Sequence, residues 1–121
     1  MRLPIVLVAL LLASCSHHPA PGDFFEEIST GKRYRIDAIV PAMEEMRQFR
    51  EENFRRIEGK DPATPEEKEY LDARIRRLEK EMKKGSEIVR LRDFNVFYIG
   101  GLRCSDLVTM ERLREDFRLA P

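Results

Sequence analysis

The stretch Thr64–Gly85, TPEEKEYLDARIRRLEKEMKKG, carries start, period and stop signals of a long helix and so fixes the largest single element of the fold. Thr64 can accept a hydrogen bond as N-cap, Pro65 suits a first helical position that needs no N–H, and Glu67 completes a capping box. Lys83 and Lys84 fall at the negative end of the helix dipole, before Gly85. Leu71, Ile75, Leu78 and Met82 recur at spacings of 4, 3 and 4, the seam of a coiled coil, with acid-first pairs Asp72–Arg76 and Glu79–Lys83 outside it. About two and a half heptads are present, too few for a filament. The stripe has two readings, the packing face of a helical hairpin or a candidate partner surface for another helix or a second copy.

A preceding helix is expected from Pro41 to about Glu58, with Met43, Met46, Phe49, Phe54 and Ile57 on one arc and Glu51–Arg55 and Glu52–Arg56 as i, i+4 pairs. Gly59 and the short loop KDPA then turn the chain, which predicts an antiparallel hairpin of the two helices. One stripe per helix makes a narrow core, marginal without further cover.

The remaining segments are candidates for that cover. Asp23 and Glu26 fit a capping box, so FFEEISTG reads as a short helix closed by Gly31. Phe24 and Phe25 in it either pack on the body or enter a lipid headgroup region. In KRYRIDAIVP, Tyr34, Ile36, Ala38 and Val40 alternate with charged neighbours and favour a strand, although Ile36, Ile39, Val40 and Met43 also suit a helical face. SEIVRLRDFNVFYIGG reads as one strand or a bent pair with Asp93 at the change of face, and Ser105 as cap of a last helix through Leu107, Met110, Leu113 and Phe117. The fold class expected is α+β and helix-dominated, an antiparallel helical hairpin with a small strand component and a C-terminal helix, in a single domain over residues 23–121.

The N-terminal segment MRLPIVLVALLLAS has one charge at Arg2, a short apolar run and a small-residue exit. A spanning helix needs roughly 20 apolar residues, so this layout predicts a secretory signal peptide over residues 1–14, removed from the fold. Its exit, LASC, resembles the lipobox of bacterial lipoprotein precursors. That resemblance implies cleavage between Ser14 and Cys15, a diacylglyceryl group on the Cys15 thiol, and a further acyl chain such as palmitate on the new amino end. More than one chain is what makes such an anchor stable. Ser16 resembles the residue that, in the enterobacterial version of the pathway, sends lipoproteins to the outer membrane, so the expected location is that membrane, facing the periplasm. Residues 15–22 then form a lipidated tether, SHHPAPG after the cysteine, with Pro19 and Pro21 favouring extended backbone.

Lys and Arg total 22, as do Asp and Glu, so no global field points to nucleic acid. The only two histidines, His17 and His18, lie in the tether, adjacent and lacking further ligands, which predicts no metal site and no cofactor beyond the lipid on Cys15. A body without histidine cannot build a Ser-His-Asp or Cys-His pair, and no phosphate-cradling glycine motif occurs. No catalytic residues are therefore expected. Cys104 would be the one unlipidated thiol in a compartment that favours disulfides: buried, bridged to another chain, or reactive beside a helix N-terminus. The function expected is a membrane-anchored, nonenzymatic structural, assembly or protein-interaction factor with an envelope protein as partner. The alternative is a ligand- or wall-binding module, or an inhibitor of a periplasmic hydrolase, which would need Arg90, Arg92, Tyr98 and Arg103 to converge on a concave pocket. Lipoproteins crosslinked to the wall end in a reactive Lys, and this chain ends RLAP.

Overall fold

Short strand segments find stability only by pairing, and six of them run through the described part of the chain between and beside its helices. The computed structural model describes residues 17–121, so Ser14, Cys15 and the signal segment lie outside the described residues. Strand β1 (Phe24–Glu27) pairs antiparallel with β2 (Arg33–Pro41) in the register Phe24↔Arg35, Phe25↔Tyr34, Glu26↔Arg33. Helix α1 (Ala42–Glu52), one short turn α2 (Phe54–Ile57) and the long helix α3 (Pro65–Lys84) follow. Strand β3 (Glu87–Leu91) returns to β2, β4 (Phe97–Ile99) and β5 (Leu102–Cys104) make a separate hairpin, and α4 (Met110–Asp116) leads into β6 (Phe117–Leu119). Strand β6 pairs with β1, giving the order β3-β2-β1-β6.

The expectation of a helix-dominated hairpin is thereby overturned. The described residues hold 4 helices and 6 strands in two antiparallel sheets, 40% helical and 27% strand, a sheet-rich α+β fold. Helices α1 and α3 do pack together through Met46, Phe49, Leu71 and Leu78, but as a layer over β3 and the β4–β5 hairpin, which add Ile88, Leu102 and Cys104 to the same core. A second core lies across the sheet, where α4 contributes Met110 and Leu113 to Phe25, Ile36, Val89 and Phe117. Ile88 and Val89 are adjacent in β3 and enter different cores, as the period of a strand requires.

Three local corrections explain the difference. FFEE is strand β1, because Phe25 and Glu27 turn inward while Phe24 faces out. The Asp23 carboxylate accepts from the Ala20 N–H at 3.0 Å instead of capping a helix, and Gly31, at φ 73°, closes the turn into β2. The helix expected from Pro41 to Glu58 breaks at Asn53, whose side chain donates to the Phe49 carbonyl at 3.0 Å and so competes with the next turn. The last helix is capped by Thr109, which accepts from the Arg112 N–H at 3.1 Å, and it spans only 7 residues. Residues 105–109 stay out of the helix: Val108 accepts from the Val89 N–H at 2.8 Å and the extended Thr109 bridges Ile88. The strand preferred for residues 33–40 is β2, and α3 matches its expected bounds, with Thr64 accepting from the Glu67 N–H and Gly85 left-handed at φ 70°.

The expected tether is fastened from His17 onward. Gly22 donates to the Ile36 carbonyl at 2.8 Å, Ile36 donates to the Asp23 carbonyl at 2.9 Å, and Pro19 is buried. His17 Nε2 meets Asp23 Oδ2 at 3.1 Å, and this bond, with that of Ala20, holds the Asp23 carboxyl below its ordinary range.

Candidate functional site: an arginine-lined cleft

Strand alternation sends Arg90 and Arg92 to the face of the sheet that α1 covers only in part, and a cleft of about 980 Å³ opens between β3, α1, α3 and residues 101–108. Five arginines line it: Arg56, Arg74, Arg90, Arg92 and Arg103. Apolar wall comes from Phe49, Leu102 and Leu107.

Most of these charges are matched. Arg90 Nε donates to Glu45 Oε2 at 2.7 Å and Nη2 reaches Gln48, which ties the sheet to α1. Arg92 pairs with Asp37 at 2.9 Å and Arg103 with Asp93 at 3.5 Å, both at the exposed rim. Arg56 faces the buried Glu67 carboxylate at 3.6 Å. Arg74 differs: Nη1 donates to the Ser105 carbonyl at 2.9 Å, the guanidinium lies 5.9 Å from the Phe49 ring centroid, and among the described residues it forms no ion pair. The Nε atoms of Arg56 and Arg74 are buried without a hydrogen-bond partner. Tyr70 braces the same wall, its hydroxyl donating to the Ser105 carbonyl and accepting from the Ser105 N–H, each at 3.2 Å.

Backbone geometry sets the approach of these groups. Asp93 and Asn95 are left-handed at φ 57° and 45°, which side chains of this type tolerate, and they bend the chain out of β3 at the rim. Gly100 is left-handed at φ 59°, and a Cβ there would overlap Glu67 Oε1. Any other residue there would be strained by the left-handed backbone and would make the Glu67 side chain shift.

A fixed guanidinium over an aromatic wall is suited to hold a carboxylate or similar anion by paired N–H donors. Cys104 does not offer a reactive thiol: it is buried in β5, donates to the Leu102 carbonyl at 3.5 Å, and burial pushes its pKa above the ordinary value. It is not beside a helix N-terminus, since α4 begins at Met110.

Of the residues expected to converge, Arg90, Arg92 and Arg103 line the cleft, and Tyr98 does not, being 67% exposed on β4. The stripe on α3 is divided. Leu71 and Leu78 are buried in the core, Ile75 packs against it, and Met82 is 37% exposed. No group of three or more metal-ligating side chains occurs among the described residues. Sequence reasoning missed Arg56, Arg74 and Tyr70, because on a helix surface they read as ordinary solvated positions. Only the tertiary placement of Ser105 and Glu67 opposite them marks them out. Comparison with protein-family models, with curated proteins and with solved structures finds no match to this chain.

Proposed function

We propose that this protein is a membrane-anchored lipoprotein facing the periplasm, acylated at Cys15, that acts by binding rather than catalysis. Its binding site is the arginine-lined cleft, and its partner is an envelope protein that presents an anionic group there. The observation that carries this reading is Arg74, a half-buried guanidinium in the cleft with no carboxylate beside it among the described residues. Charges withdrawn from water are stable when paired, so such a group favours an incoming anion. The matched pairs around it, Arg90–Glu45 and Arg92–Asp37, hold the walls without offering a spare charge.

A photoreactive residue in place of Val96, which lines the cleft, and another in place of Lys80, exposed on α3, test the site in intact membranes. An adduct from position 96 that disappears in the Arg74→Ala background, with none from position 80, is expected. Equal adducts from both positions, or none from 96, would remove the cleft from the proposal. Mass spectrometry of the mature N-terminus, with Cys15→Ala as control, tests the anchor separately: an unmodified terminus overturns it.

The shape of the cleft favours a second reading, a ligand- or wall-binding module or hydrolase inhibitor, because three of its four expected residues meet in a concavity. Thermal stabilisation by soluble wall fragments, lost in Arg74→Ala, distinguishes this reading from the first.

A further inference from the structure

We infer that the corner of the sheet where β1 begins and β6 ends is a lipid-docking surface for anionic headgroups, with Phe24 entering the interface and Arg35, flanked by Arg33 and Arg118, meeting the phosphates. This inference rests on the proposed lipidation of Cys15.

The first observation is what the helices leave uncovered. Layer α1–α3 spans the β3 side of the sheet, and α4 covers the opposite face. At the β6 side, Phe24 is 50% exposed while its neighbour Phe25 is in the core. Phe24 shares its face with Glu26 and, across the two ladders, with Arg33, Arg35 and Arg118, so one large apolar side chain stands among guanidiniums.

Charge is the second observation. Arg35 faces Phe24 across the β1–β2 ladder, and Arg33 and Arg118 both face Glu26. Arg118 pairs with Glu26 at 2.9 Å, Arg33 donates to the Pro121 carbonyl, and Arg35 has no ion pair among the described residues. Asp23 is held by His17 and Glu26 by Arg118, so among the described residues Arg35 is the cation at this corner left to meet an outside anion.

Chain length supplies the third. Only Ser16 separates Cys15 from His17, and two residue steps reach at most roughly 7 Å. From His17 the chain is fixed through Asp23, the residue before Phe24. A lipid on Cys15 therefore holds this corner at the bilayer, where an aromatic side chain ringed by guanidiniums is favoured by both the apolar interface and the negative surface potential.

The chain contains no Trp, so Phe24→Trp gives a single reporter and Tyr98→Trp, exposed on the hairpin outside this corner, gives its control. Each full-length, lipidated protein is placed on vesicles of phosphatidylcholine with or without phosphatidylglycerol, carrying brominated acyl chains. Emission from position 24 is expected to shift to the blue and to be quenched severalfold more than emission from position 98, more so with phosphatidylglycerol. Arg35→Glu is expected to abolish the phosphatidylglycerol dependence. Equal quenching at both positions on protein shown by mass spectrometry to be lipidated overturns the docking surface alone. Absence of lipid on Cys15 overturns the anchor, and the inference with it. Burial of position 24 through self-association without vesicles would assign the corner to a second copy instead.

Discussion

Leu78 and Met82 are one helical turn apart on α3, yet the first is 0% exposed and the second 37%. Leu78→Ala is expected to lower the unfolding free energy by about 2–5 kcal/mol, and Met82→Ala by well under half as much, measured by denaturant titration. The spacing of 4, 3 and 4 identified both as one stripe but could not show that the core ends before Met82, because that boundary is set by β3 and the β4–β5 hairpin. Cys104 gives a pH-dependent prediction at the same scale. Its pKa is raised in the folded state by burial, so its contribution is intact below the ordinary thiol value of 9.0 and is lost as pH rises beyond it. Native protein at pH 8 is expected to resist thiol reagents and to react at once in denaturant, and Cys104→Ala is expected to flatten the alkaline fall in stability. Glu44 behaves in the opposite sense. The Arg47 side chain holds its carboxyl down at about 2, so this helix pair remains in place above the usual carboxylate range and is lost only as pH falls through that value. Both groups are exposed, and salt should weaken the effect.

Elements encoded by neighbouring residues were legible, and elements encoded by distant ones were not. Helix α3 has its cap, proline, period and glycine within one stretch, and its observed bounds match the sequence. Strands β1 and β6 have only 4 and 3 residues, too short for alternation to register, and they exist because Phe25 and Phe117 share a core. Ser105 and Thr109 are equally good caps by chemistry. Thr109 prevails because the bond from Val89 to Val108 keeps the intervening backbone out of the helix. Half of the cleft was visible in the same sense: Arg90, Arg92 and Arg103 stood out in strand-like sequence, whereas Arg56 and Arg74 took meaning only from the hairpin folded over them. The weak point of that arrangement is the β4–β5 turn. Gly100→Ala is expected to cost about 1–2 kcal/mol from the left-handed backbone alone, to displace Glu67, and to raise hydrogen exchange in β4 and β5 before the rest of the sheet.

At the scale of the molecule, the sheet is assembled from both ends of the described chain. Strand β1 lies between β2 and β6, so the second core closes only when Phe117 reaches Phe25. Removing residues 117–121 is expected to expose the β1 edge and to unfold the α4 side first, seen as loss of protection in β1 and α4 while α3 retains part of its own. The order β3-β2-β1-β6 also bears on synthesis. A ribosome releases the chain from its N-terminal end, and the strand that completes the sheet is the last of its four strands to emerge. Nascent chains arrested before residue 117 should therefore remain protease-sensitive at β1 however long they wait, and the domain can reach its final form only after translation has passed β6.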